Sequence, residues 1–523
     1  MHGEVADAAA ARQRAIEPYS WYMLAVLVLV YVLNFIDRQL ITILAPDLKR
    51  DLGISDSDFG FLYGTAFGVF YAVFGLPLGR LADRWVRVRL LALGLALWSA
   101  MTALSGLSRN FTQLGLARIG VGIGEATATP CAYSLISDSF PPHRRATALA
   151  LYSAGLYIGG GISLFLGSSI AQGWDKAFAI GTAPLGLAGW QVAFLAVGIP
   201  GLLLALWVAT LREPARGKFE ALSFNVAQNT TSPWSEFLRE AMDVVPPLTV
   251  ISAARRGVRA LAGNLAGAAI IAAAMAWLVS LTGDTAQWLA FGLGCYAIYS
   301  WVGALRIDSN DTYRALLWSR PFLALTASYS LVTFVGYAST AFMPLYAIEV
   351  LGADPQQAGF ILGGAGAAGG VAGVVFGGMI ADHLARNGNQ AARILVIMIS
   401  ASLAMLCHAV LFSTGSLPLY YALALVSWIF LAATLGGSSG ALVNIVRPDL
   451  RGTATAGFLL GTNMIGLALG PYTAGKISML TGDLGFGLLA LLVVVPFMLI
   501  AMAMAYIDLA AEHRRRHPMQ ASN

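Results

Sequence analysis

Charged side chains are scarce in this chain of 523 residues. Asp, Glu, Lys and Arg make up 11% of the sequence, whereas hydrophobic residues make up 58%. A soluble domain carries about 25% charged residues, so this chain lacks the ionic surface that a water-soluble body needs. This excludes a soluble enzyme, a secreted disulfide scaffold and a disordered tail. The net charge of +5 is small and gives no reason to expect a nucleic-acid partner.

Cysteine is rare, and two common motifs for nucleotides and metals are missing. The three cysteines, Cys131, Cys295 and Cys407, lie in apolar segments, which is typical of buried hydrophobic residues rather than of a disulfide or metal site. The sequence contains neither a Gly-Lys-Ser/Thr phosphate loop nor a His-Glu-x-x-His motif. We therefore expect a protein that is not an enzyme and that needs no cofactor or metal.

Apolar runs of about 20 residues recur along the whole chain, and each is long enough to cross a hydrocarbon core of ~30 Å. They predict an all-α polytopic membrane protein with fourteen transmembrane helices. No cleavable signal peptide precedes the first run, so we expect that helix to stay in the membrane. The predicted spans are 20–44, 58–79, 90–107, 113–138, 146–171, 190–211, 260–281, 287–305, 321–345, 357–380, 393–412, 417–445, 453–476 and 486–508.

The basic residues predict how these helices are oriented. If the N-terminus is cytoplasmic, 25 Lys and Arg residues lie in cytoplasmic segments and five in segments on the opposite side. This bias follows the positive-inside rule, so we expect both termini in the cytoplasm. The abundance of Arg over Lys and the compact tails favour a bacterial inner membrane as the location.

A short motif occurs twice, each time at the predicted cytoplasmic end of a helix. Asp83 precedes Arg87 by four residues, and about 299 residues later Asp382 precedes Arg386 in the same way. Topology alone requires the arginines but not the acids, so we predict that all four residues belong to a cytoplasmic gate. The alternative is that they only maintain topology.

The recurrence divides the chain into two parallel halves of six helices, 20–211 and 321–508. This is the arrangement of the major facilitator superfamily, whose substrate site lies near mid-membrane between the halves. Between them we expect a cytoplasmic linker, 212–259, and an extra transmembrane hairpin, 260–306, which we interpret as a packing or assembly element. Two surface helices are the alternative to the hairpin, but neither run has a charged face. The tails are 1–19 and 509–523.

Four ionisable residues lie within the predicted spans, and all four are in the first half: Asp37, Arg38, Arg118 and Glu125. Charges inside a membrane are costly and usually face a cavity or pair with one another. Arg118 and Glu125 are two helical turns apart, so they share a helix face. If the first and fourth helices are neighbours, two acids and two bases can neutralise each other in more than one pairing.

These four residues predict a proton switch. Arginine does not release its proton, whereas the protonation of a carboxylic acid depends on burial and on nearby charge. We therefore expect Asp37 and Glu125 to carry protons, with Arg38 and Arg118 as their charge partners and as the site of a substrate head group. A static ion-pair network is the alternative. His408 is expected to pack as a neutral core residue outside the mechanism.

Neutral polar residues predict the rest of the substrate cavity: Asn34, Tyr329, Thr333, Tyr337 and Asn463. Four of the five belong to the second half, so the cavity would have one charged wall and one neutral wall. Such a cavity suits an amphipathic molecule with an ionic head and a hydrocarbon body.

Three segments carry a more specific resemblance: Tyr31 to Gln39, Arg118 to Ala126, and Gly189 to Gly201. Together they resemble bacterial Spinster-type transporters of the major facilitator superfamily. The resemblance implies a proton-coupled carrier of amphipathic lipids of the lysophospholipid or sphingosine-phosphate type, working by alternating access. The Asp-Arg pair and the fourth-helix acid also occur in organic anion:proton symporters, so a sugar acid is the alternative substrate; a receptor or an enzyme is a weaker one. We expect a monomer whose partners are its substrate, protons and membrane lipids.

Overall fold

A computed structural model describes residues 17–178, 183–219, 233–385, 391–447 and 450–516, and all regular elements within these ranges are helices. Thirteen helices in this part of the chain are long and apolar enough to cross a membrane. The prediction of an all-α polytopic membrane protein is therefore confirmed. Most of the tail 1–19, part of the linker 212–259 and part of the tail 509–523 lie outside the described residues.

The first half begins with two long helices joined by a short one, Ala45–Leu52. Two helices of this half begin with proline, at Pro18 and Pro142. A backbone N–H in the first turn has no acceptor within the helix, so proline, which lacks this N–H, is well tolerated there. The helices of this half are α1 (Pro18–Ile43), α2 (Asp56–Arg84), α3 (Arg87–Ser105), α4 (Phe111–Glu125), α5 (Ala128–Ser139), α6 (Pro142–Ala177) and α7 (Gly189–Ala209). A single 3₁₀ turn, Pro184–Gly186, precedes α7.

The fourth predicted span differs from the expectation of one long helix. It consists of α4 and α5, with a turn at residues 126–127. The Thr127 hydroxyl donates a hydrogen bond to the carbonyl of Gly124 at 2.9 Å, an acceptor that a regular helix would use for its own backbone. This break is why the described residues contain thirteen long apolar helices where the sequence predicted fourteen, and it directly follows Glu125.

The insertion between the halves contains two short helices, Pro233–Ala241 and Leu248–Arg255, and both helices of the predicted hairpin. These are α8 (Val258–Thr282) and α9 (Thr285–Asp308), followed by the short helix Asn310–Leu317. The hairpin contacts both halves, because Gln287 Oε1 lies 2.6 Å from the Thr65 hydroxyl of α2 and the Thr282 carbonyl accepts a hydrogen bond from Lys476 of the second half at 2.7 Å.

The second half repeats the six-helix arrangement, and its fifth helix is interrupted by a turn at residues 468–469. Its second helix begins with a capped turn, in which the Asp354 side chain accepts a hydrogen bond from the backbone N–H of Gln357. The helices of this half are α10 (Arg320–Val350), α11 (Pro355–Leu384), α12 (Ala391–Leu411), α13 (Leu417–Ile445), α14 (Arg451–Thr481) and α15 (Leu484–Ala511).

Successive helices connect alternately at two ends of the bundle, which we name the Lys49 end and the Arg87 end after residues in the α1–α2 and α2–α3 connections. Near the Lys49 end the halves touch through glycine. A Cβ atom on Gly60 of α2 would lie 2.4 Å from the carbonyl oxygen of Pro471 of α14, and one on Gly359 of α11 would lie 2.5 Å from that of Leu164 of α6. Because no larger residue fits at these points, the halves are closed against each other at the Lys49 end.

Candidate functional site

A cavity of about 240 Å³ lies between the two halves. Aliphatic and aromatic side chains form most of its wall, and Arg38 of α1 is the single charged group among the described residues that line it. Polar side chains are distributed over the rest of the wall: Gln39, Thr42, Tyr157, Tyr329, Thr333, Tyr337, Thr340, Trp428 and Thr434. The cavity therefore combines one cation with a largely apolar surface and several neutral hydrogen-bonding groups.

The structure places three of the five predicted cavity residues in this wall, namely Tyr329, Thr333 and Tyr337 of α10. The other two are not among the described lining residues. Asn34 is buried beside Glu125, one helical turn before Arg38. Asn463 is buried in a π-helical turn of α14, Thr462–Leu467. A polar residue on a helix that borders the cavity therefore does not necessarily line the cavity.

The four predicted membrane charges lie together where α1 meets α4. The Arg38 guanidinium donates to Glu125 Oε2 with an N–O distance of 2.7 Å, and Arg118 Nη1 lies 3.6 Å from Asp37 Oδ1. All four side chains are buried, with exposed fractions of 9% for Arg38 and 1% or less for the others. Each base therefore pairs with an acid from the other helix, which is one of the pairings that the sequence left open.

Arg38 lies between its acid and the cavity. Its guanidinium carbon is 4.8 Å from the ring centre of Phe35, 4.5 Å from that of Phe67 and 5.1 Å from that of Tyr71, so aromatic faces stabilise the cation on several sides. Of the four charged residues, Arg38 alone is among the described lining residues, and Glu125 lies behind it. An anion that enters the cavity therefore meets Arg38 first and competes with Glu125 for the guanidinium.

The second pair is held more loosely. Among the described residues, no nitrogen of the Arg118 guanidinium has a hydrogen-bond acceptor, so its contact with Asp37 is mainly electrostatic. Asp37 accepts a hydrogen bond through Oδ2 from the hydroxyl of Thr102 of α3. Nothing in the sequence singles out Thr102, because a threonine in an apolar helix usually bonds to its own backbone, and the Thr102 oxygen also lies 2.9 Å from the carbonyl oxygen of Trp98.

A second ion cluster joins the halves at the Lys49 end. Lys49 Nζ lies 2.7 Å from Asp56 Oδ1 and 2.9 Å from Glu349 Oε2, and Glu349 belongs to the second half. Burial lowers the pKa of Lys49, but the hydrogen bonds to the two carboxylates outweigh it and raise the pKa above the ordinary value. Lys49 therefore stays charged at neutral pH and holds the two halves together at this end.

At the Arg87 end the predicted gate residues that form ion pairs do so with residues of the same half or of the linker. Arg87 is fully buried and binds Glu213 at 2.6 Å and also Asp138, whereas Asp83 is exposed. In the second half, Asp382 pairs with Arg393 at 2.7 Å. Arg386 lies outside the described residues. None of these ion pairs crosses from one half to the other, so their role in a gate stays a prediction.

His408 occupies the position that a neutral core residue would take. It is buried between α12 and α13, with its Nε2 atom 2.9 Å from the Ser427 hydroxyl, and it is not among the residues lining the central cavity in the described part of the chain. The Ser427 hydroxyl provides a neutral hydrogen-bond partner for this ring nitrogen. The position of His408 is consistent with the prediction that it lies apart from the four charges.

Comparison with known proteins gives the family. Residues 27–471 match the family model of the Major Facilitator Superfamily. An MFS-type efflux pump of Mycolicibacterium smegmatis is 28% identical over 500 residues, which is 95% of this chain and 94% of that protein. A probable L-galactonate transporter of Escherichia coli is 33% identical over 175 residues, about a third of each chain.

A solved structure shares the fold over nearly the whole length. It is the crystal structure of a bacterial homologue of the human lysosomal transporter Spinster in an inward-facing and unoccupied conformation. The two chains are 25% identical, with a TM-score of 0.66 over 95% of this chain and 98% of the other.

Proposed function

Because the chain belongs to the major facilitator superfamily and is a multi-pass membrane transporter, we propose that it carries an amphipathic, lipid-like substrate by proton-coupled alternating access. A lysophospholipid or a sphingosine phosphate has the required chemistry. The observation that carries this proposal is the cavity wall, where Arg38 provides one cation for an anionic head group and apolar side chains surround the rest. The resemblance of three segments to Spinster-type transporters implies the same substrate class, and the chain shares its fold with a bacterial Spinster homologue.

The Arg87 end faces the cytoplasm in this proposal, because basic residues concentrate there and follow the positive-inside rule. A bacterial inner membrane is the proposed location. Since the halves are closed at the Lys49 end, the substrate reaches the cavity from the cytoplasmic side in this conformation. The opposite conformation requires the Lys49–Glu349 contact to break and the motifs around Asp83 and Asp382 to form contacts across the halves.

Proton coupling follows from the competition for Arg38. When an anionic head group binds Arg38, it displaces Glu125, which becomes a buried carboxylate without its partner. Such a charge is strongly destabilising, and the uptake of one proton by Glu125 removes it. Asp37 remains paired with Arg118 at first, and its looser contact allows the same exchange in a later step. Substrate binding and proton binding therefore favour each other.

A sugar acid is the second candidate substrate, because part of the chain is similar to a probable L-galactonate transporter. Arg38 would bind its carboxylate equally well. Its several hydroxyl groups would need hydrogen-bond partners, and Gln39, Thr42 and Thr333 in the cavity wall provide some of them. The wall is nevertheless largely apolar, which favours the hydrocarbon body of an amphipath.

Counterflow in proteoliposomes distinguishes the two substrates. Vesicles loaded with unlabelled lysophospholipid should accumulate labelled lysophospholipid and return it chemically unchanged, and added galactonate should not compete. Arg38→Gln should abolish the signal, whereas Arg109→Gln, an exposed arginine outside the cavity, should preserve it. Competition by galactonate together with no counterflow of lysolipid would instead support the sugar-acid carrier.

A further inference from the structure

A second cavity, of about 280 Å³, lies at the Arg87 end between α8, α9 and the short helix Leu248–Arg255. It shares no described lining residue with the central cavity and is of similar size. The extra hairpin and the linker together form its walls, so this cavity belongs to the part of the chain that separates the two halves.

Arginines surround its rim. Arg256 is held by Asp243 at 2.8 Å and by Asp308 at 2.5 Å, so its charge is already neutralised. Arg259 and Arg306 also line the cavity, and within the described residues neither forms an ion pair or a hydrogen bond. Three arginines and two aspartates leave an excess of one positive charge, carried by groups that are free to bind an anion.

The inner wall is polar and ordered. The Thr249 hydroxyl donates to the hydroxyl of Tyr296 at 3.2 Å, Tyr296 donates to Asn264 at 2.6 Å, and Asn264 donates to the hydroxyl of Ser300 at 2.9 Å. Thr249, Asn264 and Ser300 are all more than nine-tenths buried and line the cavity. The last two of these hydrogen bonds join α8 to α9, as polar side chains in membrane helices commonly do, and they leave a polar wall facing the cavity.

Glycines keep the cavity open. A Cβ atom on Gly263 or Gly303 would meet nothing within 4 Å, so neither glycine is required by close packing of the helices. Gly267, one turn further along α8, is different, because its Cβ would lie 2.1 Å from the ring of Tyr299. The hairpin helices therefore pack closely at Gly267, and a recess remains beside Gly263 and Gly303, next to the hydrogen bond of 2.9 Å from Tyr299 to the Gly263 carbonyl.

The surroundings of the recess are apolar and exposed. Val258 and Ile307 lie next to the rim arginines in sequence and are 83% and 54% exposed. They begin α8 and end α9, at the level where a membrane helix meets the lipid head groups. Anionic lipids of the inner leaflet bind such basic pockets between helices through their head groups.

We propose that this recess is a binding site for a phospholipid with a singly charged anionic head group, such as phosphatidylglycerol. Arg259 and Arg306 bind the phosphodiester, the polar wall of Asn264 and Ser300 receives the glycerol hydroxyls, and the acyl chains lie along Val258 and Ile307. The site is independent of the substrate in the central cavity. It makes the extra hairpin a lipid-binding element of this transporter.

Native mass spectrometry of the purified full-length protein tests the site, with phosphatidylglycerol, phosphatidylcholine and soluble glycerol phosphate as probes. We expect phosphatidylglycerol to bind at least ten times more tightly than phosphatidylcholine. The double variant Arg259→Gln/Arg306→Gln should bind phosphatidylglycerol about 30-fold more weakly, since each arginine near an anionic lipid contributes about a factor of five. Gly303→Leu, which keeps all charges and fills the recess, should abolish the preference.

Two controls separate this site from general effects. Arg144→Gln/Arg314→Gln removes two exposed arginines near the same end, outside the recess, and should leave binding unchanged; Arg38→Gln in the central cavity should do the same. Equal loss in both double variants, equal binding of the two phospholipids, or equal binding of glycerol phosphate and phosphatidylglycerol would each overturn the proposal. Size-exclusion elution confirms that each variant is folded.

Discussion

Replacing Glu125 by glutamine tests the competition between this carboxylate and the substrate for Arg38. The variant keeps the shape of the side chain and an oxygen that can accept from the Arg38 guanidinium, but it loses the negative charge behind the 2.7 Å contact. It also can no longer take up a proton. The proposal therefore predicts opposite effects on two properties that a damaged protein would lose together, namely substrate binding and proton-driven accumulation.

The expected gain in substrate affinity can be worked from the Arg38–Glu125 hydrogen bond, which the substrate must replace. A hydrogen bond to a charged group contributes about 1.5–3 kcal/mol, so removing this competitor should strengthen the binding of an anionic substrate about 10- to 100-fold. Accumulation driven by a pH gradient should fall to the background, while counterflow continues. In the wild type, affinity for the anion should fall as pH rises, because binding requires a proton; in the variant it should not vary with pH.

Isothermal titration at several pH values and uptake by proteoliposomes measure these properties. Glu17→Gln provides the matched control, since it makes the same chemical change at an exposed carboxylate, which pairs with Lys218 outside the cavity. It should behave as the wild type in both assays. If Glu125→Gln binds substrate with the pH dependence of the wild type, the coupling role of this residue is refuted.

Four further predictions concern the other pair and the closed end. Asp37→Asn should abolish proton-driven accumulation and leave counterflow partly intact, in the same uptake assay. Lys49→Gln removes two partly exposed ion pairs worth up to about 1 kcal/mol each and should increase, several-fold, the labelling of a cysteine placed at Ser57 by a membrane-impermeant thiol reagent. Because the pKa of Lys49 is raised, its stabilisation of the closed end should persist through neutral pH and be lost only at strongly alkaline pH. Gly60→Leu should hold the Lys49 end open and increase the same labelling, since its side chain would collide with the Pro471 carbonyl.

The sequence predicted the helices and singled out the four membrane charges, because both depend on local signals. Apolar run length determines the spans, and the high cost of a charge in a membrane identifies Asp37, Arg38, Arg118 and Glu125 without any knowledge of the fold. These residues do meet in the structure, with Arg38 facing the cavity.

The remaining contacts join residues that are far apart in sequence and chemically ordinary. Lys49 and Glu349 are 300 positions apart, and each resembles any charged residue of a loop or helix end. In the sequence Thr102 is an ordinary helix residue, and only the fold places its hydroxyl next to the Asp37 carboxylate. Such features require the three-dimensional arrangement of the halves. The break after Glu125 is different, because it has a local signal: Pro130 has no N–H for the carbonyl of Ala126, and its ring crowds that carbonyl in a regular helix.

The central claim is that Glu125 takes up a proton when the substrate takes its place on Arg38. The most direct measurement is proton uptake on substrate binding, followed with a pH indicator in weakly buffered detergent solution. We expect an uptake that approaches one proton per anion bound for the wild type and none for Glu125→Gln. Saturating binding of the anion by the wild-type protein without any uptake of protons would contradict it.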